Sequence, residues 1–216
     1  MLQHIGLCYV ELGRLPEADG MLREVFQKAK VVNDLQLQGW ILNNMAELEI
    51  ERDEWGLAVD YAQKAREKVC AVQDQEGEAE TLITEARIRL RMGQTEEALT
   101  AANRALEIYI QNKNLHHTIR ARHHIAKILN RQERLDEAAA TLHEAMRTAG
   151  HLDLRRYQAL LYLDLGSTEL KRKNYGLALQ YGIEARDIAL EESLGDLLED
   201  ANDLLGHCPL TEGDHQ

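Results

Sequence analysis

ARIRLRMGQTEEALTAA, residues 86–102, decides the fold. It reads as the end of one helix, a break at Met92-Gly93-Gln94, and the start of another. Glycine suits a helix end that needs positive φ, and Glu96 and Glu97 complement the dipole of the helix that follows. Four other segments superimpose on it without a gap: GLCYVELGRLPEADGML (6–22), AELEIERDEWGLAVDYA (46–62), AKILNRQERLDEAAATL (126–142) and GSTELKRKNYGLALQYG (166–182). Successive segments are forty residues apart. Ala18, Ala58, Ala98, Ala138 and Ala178 form one column. Gly6, Ala46, Ala86, Ala126 and Gly166 form a second, and Val25, Ala65, Ala105, Ala145 and Ala185 a third. Small side chains on a fixed period let helix backbones approach to the short end of the roughly 8–10 Å interaxial range. Each unit is therefore helix, tight turn, helix.

The other breaks are ELGRL, ERDEW, RQERL and KRKNY, after which Leu15, Trp55, Leu135 and Tyr175 are placed to pack across the turn; Gly13 joins Gly93 as a helix end. Unit boundaries fall at VVND, VQDQ, QNKN, GHLD and EES, where Asn, Asp and Ser are expected to cap the next helix. SLGDLLEDANDLLGHC (193–208) aligns with the first helix of a sixth unit. It reads as a capping helix with Asp196, Glu199, Asp200 and Asp203 toward solvent. PLTEGDHQ then reads as a frayed tail. The expected organisation is repeats at about 1–33, 34–73, 74–113, 114–153 and 154–193, a cap at 194–206 and a flexible tail at 209–216. The first helix of unit one is shorter than its counterparts, with Met1 inside the repeat. Either the chain was excised from a longer protein or its first unit begins close to the N-terminus.

Bulk composition agrees with helices. Of the 216 residues, 44% are apolar and 29% charged, which is globular rather than disordered. With two prolines and one phenylalanine among plentiful Ala, Leu and Glu, helix is favoured throughout. No apolar run approaches the roughly 18 residues of a membrane span, and MLQHIGLCYV lacks the basic start and cleavage site of a signal peptide. Cys8, Cys70 and Cys208 are odd in number and lack metal-ligand spacing, which points to a reduced, cytoplasmic setting. A net charge of −12 disfavours direct nucleic-acid binding.

The Leu/Gly pair of the first helix, the Gly or polar turn and the two alanines of the second helix resemble the tetratricopeptide repeat. The resemblance covers about residues 2–190. The family's usual period is roughly 34; the forty-residue period and the missing closing proline are similar to its long-period members, in bacterial peptide-sensing regulators and motor-protein light chains. It implies an all-α fold: a right-handed α-solenoid of five helix-turn-helix repeats plus a C-terminal capping helix, eleven helices in all. It also implies that the first helix of each unit lines a concave groove that holds a protein or peptide partner.

One stretch bears directly on that groove. LHHTIRARHHIAKILNR (115–131) holds four Arg/Lys, four His and no acid. On a helical wheel Arg120, His124, Lys127 and Arg131 fall within about 60° of one another, opposite Ala121, Ile125, Ile128 and Leu129. Counted from the shared alanines, the groove positions the resemblance implies are Arg120, His123, His124, Lys127, Asn130 and Arg131 in unit four. Unit three supplies Glu80, Thr84, Arg87 and Arg91, unit two Trp40, Asn43, Asn44, Glu47 and Glu51, and unit five Asp164, Ser167 and Lys171. Guanidinium groups bind carboxylates bidentately, Asn43 and Asn44 offer donor and acceptor to a peptide backbone, and Trp40 offers a flat anchor. A competing reading is structural: Glu47, Glu80 and Asp164 neutralise the cations, and Trp40 packs in the core. His123 and His124 are expected to make affinity depend on pH near 6–7.

Catalytic signatures are lacking. The six histidines between His116 and His151 form no i,i+4 pair on one face, and no HExxH, CxxC, phosphate-binding loop, serine elbow or Cys–His pairing occurs. The expectation is a non-catalytic module without metal or cofactor that takes an acidic or C-terminal peptide segment, as the effector domain of a bacterial peptide-responsive regulator. Two alternatives stay open: a sensory domain excised from a larger enzyme, and a self-associating scaffold that dimerises through its N-terminal repeat.

Overall fold

A computed structural model describes residues 15–208. Among these residues there are ten α-helices and no strand: α1 (Leu15–Val31), α2 (Leu35–Glu51), α3 (Trp55–Ala71), α4 (Gln75–Arg91), α5 (Thr95–Gln111), α6 (Leu115–Arg131), α7 (Leu135–His151), α8 (Arg155–Lys171), α9 (Tyr175–Glu191) and α10 (Gly195–His207). The first helix expected of unit one, with Gly6 and Gly13, lies outside the described residues, as does the expected tail. So does any dimer contact made by that first helix.

Helices α1 to α9 are each 17 residues long and are joined by three-residue turns. The turns share one geometry. Asn33, Asp53, Gln73, Gly93, Lys113, Glu133, Asp153, Lys173 and Ser193 all have positive φ, from 51° to 78°. The residue after each of most of them bonds back to the third-last helical carbonyl, as in Asp34 N–H to Ala29 O (3.0 Å) and Glu54 N–H to Glu49 O (2.9 Å). Left-handed backbone closed by such a bond ends a helix at a fixed point. Only Gly93 is a glycine, so the turn is imposed by the helices on either side and the other eight residues accept a backbone that disfavours a Cβ.

Capping follows the sequence at three boundaries and departs from it at two. Asp34, Asp74 and Asn114 accept the N–H groups of Leu37, Gly77 and His117 at 2.9, 3.0 and 3.2 Å. Asp153 and Ser193, expected as caps, instead take the left-handed position. Leu154 and Leu194 therefore precede α8 and α10 with no side-chain cap.

Consecutive helices pack as pairs, α2 on α3, α4 on α5, α6 on α7 and α8 on α9, with α10 closing on α9. The chain divides into two compact units between Lys113 and Asn114. In the first unit the alanine columns are sealed: Ala18, Ala58, Ala65, Ala98 and Ala105 are fully buried. Volumes are matched across it. Fully buried Val69 on α3 is flanked by Gly39 of α2 and Gly77 of α4; a Cβ on either glycine would sit 2.6 or 2.7 Å from Val69 Cγ1. Half-buried Trp55 packs against the cluster that Ala46 and Ile50 of α2 form with Ala58, Ala62 and Ile88.

Fully buried Tyr109 of α5 is matched forty residues on by Ala149, which shares a core cluster with Ile119, and Tyr157 packs against that cluster. Tyr162 and Tyr181 stack at 5.9 Å between centroids and 28° between planes, and burial pushes both phenols up. Tyr175, expected to pack across its turn, stays 36% exposed.

Candidate functional site

In each unit the first helices of neighbouring repeats meet along the positions counted as groove-lining, and polar bonds join them there. In the first unit these helices are α2 and α4. Arg87 donates from Nη1 to Glu47 Oε1 (3.0 Å) and from Nη2 to Glu51 Oε1 (3.2 Å). A guanidinium forked between two carboxylates of the preceding repeat is committed to holding two helices together. Half-buried Trp40 donates its indole N–H to Asp74 Oδ2 at 2.7 Å, and Gln36 reaches the same oxygen at 3.0 Å. Because Asp74 Oδ1 caps α4, one carboxylate joins the start of α4 to the face of α2. The sequence offered Trp40 as an apolar anchor or a core residue; it is instead a half-buried donor in this bridge. Asn43 is 6% exposed, and its Oδ1 has no hydrogen-bond donor among the described residues. Asn44 is half-buried and Arg91 exposed.

The second unit places α6, α8 and α10 side by side. His123 is 7% exposed, with Nδ1 2.6 Å from Asp164 Oδ2. Neither atom has another hydrogen-bond partner among the described residues, so the two side chains are set against each other across the helices. His124 is half-buried with its ring edge-on to His123, centroids 5.3 Å apart, and Arg120 is half-buried. Asn130 Nδ2 donates to Thr168 Oγ1 (2.9 Å), which donates to Asp164 O (2.7 Å), and Lys171 Nζ donates to Asn130 O (3.1 Å). His123 and Asn130 thus belong to the seam between α6 and α8. Lys127, Arg131 and Lys171 stand exposed beside it.

A cleft of about 470 Å3 opens on this face. Its floor is Leu160, Leu163, Leu170 and Leu204. Lys127 lies on one side, Asp164 and Ser167 in the middle, and Asp200, Asp203 and His207 on α10 at the other. The acidic side of α10, expected simply to face solvent, therefore lines the same cleft as the α6 cation. The signal was present: Asp200, Asp203 and His207 stand forty residues after Leu160, Leu163 and Ser167. An apolar floor between a cationic and an anionic rim suits a segment that is itself amphipathic and charged. Among the described residues no three His, Cys, Asp or Glu side chains are grouped to hold a metal ion, and no helix is long and apolar enough to cross a membrane.

No curated protein sequence matches the chain. Several solved structures share the fold. One is a signal-transduction ATPase with numerous domains and a tetratricopeptide repeat sensor, from Pyrococcus horikoshii, similar over 94% of this chain and 31% of its own, with a TM-score of 0.80 and 19% identity. Another is aspartyl phosphate phosphatase F from Bacillus subtilis, over 94% of this chain and 67% of its own (TM-score 0.71, 16% identity). A third is a Rap protein in complex with competence and sporulation factor, over 87% of this chain and 58% of its own (TM-score 0.69, 22% identity). The chain spans under a third of the length of the archaeal protein, and identities this low show likeness of fold. The tetratricopeptide repeat family model matches residues 37–111 and 77–150, together more than half of the sequence. With that match and its stack of paired helices, the chain belongs to the tetratricopeptide repeat family.

Proposed function

We propose that the chain is a non-catalytic peptide- or protein-binding module, and that an extended segment with acidic residues lies along the first helices of its second unit. One observation carries this reading. Arg87 and His123 are committed to neighbouring carboxylates, while Lys127 lines a leucine-floored cleft and Arg131 and Lys171 stand exposed on the same two helices, α6 and α8. Lys127 and Arg131 receive the partner's carboxylates, the leucines take an apolar side chain, and Asp200 and Asp203 favour a basic residue at the far end. His123 and Asn130 act as positioning residues that fix α6 against α8. The fold shared with a Rap protein held in complex with competence and sporulation factor supports a bound partner; a peptide as that partner, and a regulator acting in a bacterial cytoplasm as the setting, are part of the proposal. The likeness to an archaeal protein with a repeat sensor favours a second version, in which this chain is the sensory part of a larger signalling protein.

Fluorescence anisotropy with a library of labelled acidic peptides tests the reading. Lys127→Glu/Arg131→Glu should weaken the best binder by about tenfold or more, since each charge-assisted contact is worth roughly 1.5–3 kcal/mol. Equal binding to wild type and variant removes this face as the site.

A further inference from the structure

The side of α4 that faces away from Arg87 and Arg91 carries a second recess, and the proposed peptide-binding face does not use it. A cavity of about 320 Å3 lies between α3 and α4 beside the turn into α5. Val59, Ala62, Ile88 and Met92 supply its apolar lining. Ala62 and Ile88 are nearly closed off, at 6% and 2% exposure, whereas Met92 stands 49% exposed at the lip. This volume is at the small end of ligand pockets, which run from roughly 300 Å3 upward.

Polar groups at the lip are unequally matched. Glu85 is held by Arg89 of its own helix, through Nε at 2.8 Å and Nη2 at 2.7 Å to Oε1. Its other oxygen lies 3.4 Å from Arg66 Nη1 on α3, a long contact. Two guanidinium groups therefore share one carboxylate, and the local charge is positive. Arg89 and Glu85 satisfy each other as an i,i+4 pair. Arg66, 38% exposed in its side chain, is held loosely and has most of its five donors to offer. It also borders an adjoining cavity of about 270 Å3 lined by Glu97, Thr100, Ala101 and Arg104, which leaves room for its fork to turn; counting Glu97 and Arg104, three guanidiniums still face two carboxylates.

We propose that this cavity binds a ligand with a short aliphatic tail and a terminal carboxylate: the tail lies on Val59, Ala62, Ile88 and Met92, and the carboxylate is taken by Arg66. A basic head group is repelled by the same pair of guanidiniums, and a neutral one gives Arg66 no charge to meet. Two sources carry this chemistry, a free short-chain carboxylic acid and the C-terminus of a polypeptide ending in an aliphatic residue. Glu85 competes with the ligand for Arg66, so removing its charge should tighten binding, which no purely structural role of Glu85 produces.

The test is a methyl-NMR titration of the full chain, following the Ala62, Ile88 and Met92 methyl groups. The probes are hexanoate, hexanamide, and a pentapeptide ending in leucine as free acid or as amide. Hexanoate or the free-acid peptide should shift these methyls saturably, with the matching amide about tenfold weaker, the worth of one charge-assisted contact. Whichever acid binds identifies the source. Arg66→Met should abolish the acid–amide difference with its circular dichroism melt unchanged, and Glu85→Gln should tighten the acid about two- to fivefold. Equal binding of acid and amide, weaker binding by Glu85→Gln, or no shift of these methyls at millimolar probe overturns the proposal. So does a response confined to residues around Lys127 and Arg131, which would leave the peptide-binding face standing.

Discussion

Gly39→Ala puts the packing of the first unit to a direct test. In an exposed helix this change stabilises by about 0.8–1 kcal/mol through helix propensity. Here the new methyl would lie 2.6 Å from Val69 Cγ1, 3.2 Å from Ala65 O and 3.2 Å from Lys68 Cβ. Relaxed carbon contacts are about 3.5–4.0 Å, so α2 must move off α3 by most of an ångström or Val69 must leave its rotamer. Val69 has no slack, being fully buried with Gly77 on its other side. Overpacking of this kind costs roughly 1–3 kcal/mol, and the net effect should be a loss of about 1 kcal/mol. Val69→Ala alone removes two buried methyl groups and should cost about 2 kcal/mol. Combined, the two changes should interact. With the valine methyls gone the added Cβ has space, and Gly39→Ala should become neutral or stabilising in that background, a coupling of about 1–2 kcal/mol. Urea unfolding of the four proteins by circular dichroism gives the cycle. If the effects add to within about 0.3–0.5 kcal/mol, the contact is not what fixes the spacing of these helices.

Three other outcomes are expected. Lys173→Gly should stabilise by about 1 kcal/mol because Lys173 occupies a left-handed turn at φ 63°, and Asn33→Gly should gain less since asparagine tolerates that region; thermal melts compare them. Asp74→Ala should cost about 2 kcal/mol in urea unfolding, since it removes an N-cap and the acceptor of Trp40, and Asp74→Asn should cost less by keeping an oxygen at the cap. The hydrogen bond from Arg156 holds the Asp196 carboxyl below its ordinary 3.8, against a smaller opposing effect of burial. Its stabilisation is therefore complete above that value and lost as pH falls through the lower folded one. The pair is exposed, so the effect is small and screened by salt; Arg156→Gln should make acid unfolding in that range shallower, and most clearly at low ionic strength.

The sequence by itself determined the repeat. Helix, turn and helix recur because the columns of small residues and the breaks between them are local features, written within each forty residues. Even the turns without glycine are explained locally, since seventeen-residue helices with three-residue links leave one residue at each turn to take positive φ. The two missed caps were local ambiguities: Asp153 and Ser193 stood one position too early to cap, and only the turn geometry separates the two roles.

What tertiary structure alone decided is which polar side chains are already used. Arg87 looked like Lys127 in the sequence, a cation on the inner arc of a first helix. It meets Glu47 and Glu51 of the preceding repeat, whereas Lys127 faces a cleft. His123 looked like His124 and is buried against Asp164. Those partners lie 36 to 41 residues away, and whether they touch depends on how closely one repeat seats on the next. Side-chain volumes such as those of Gly39, Val69 and Gly77 set that distance. Helical periodicity assigns a residue to a face, but a charge on that face is cancelled or left available by a contact between repeats, which no single repeat encodes.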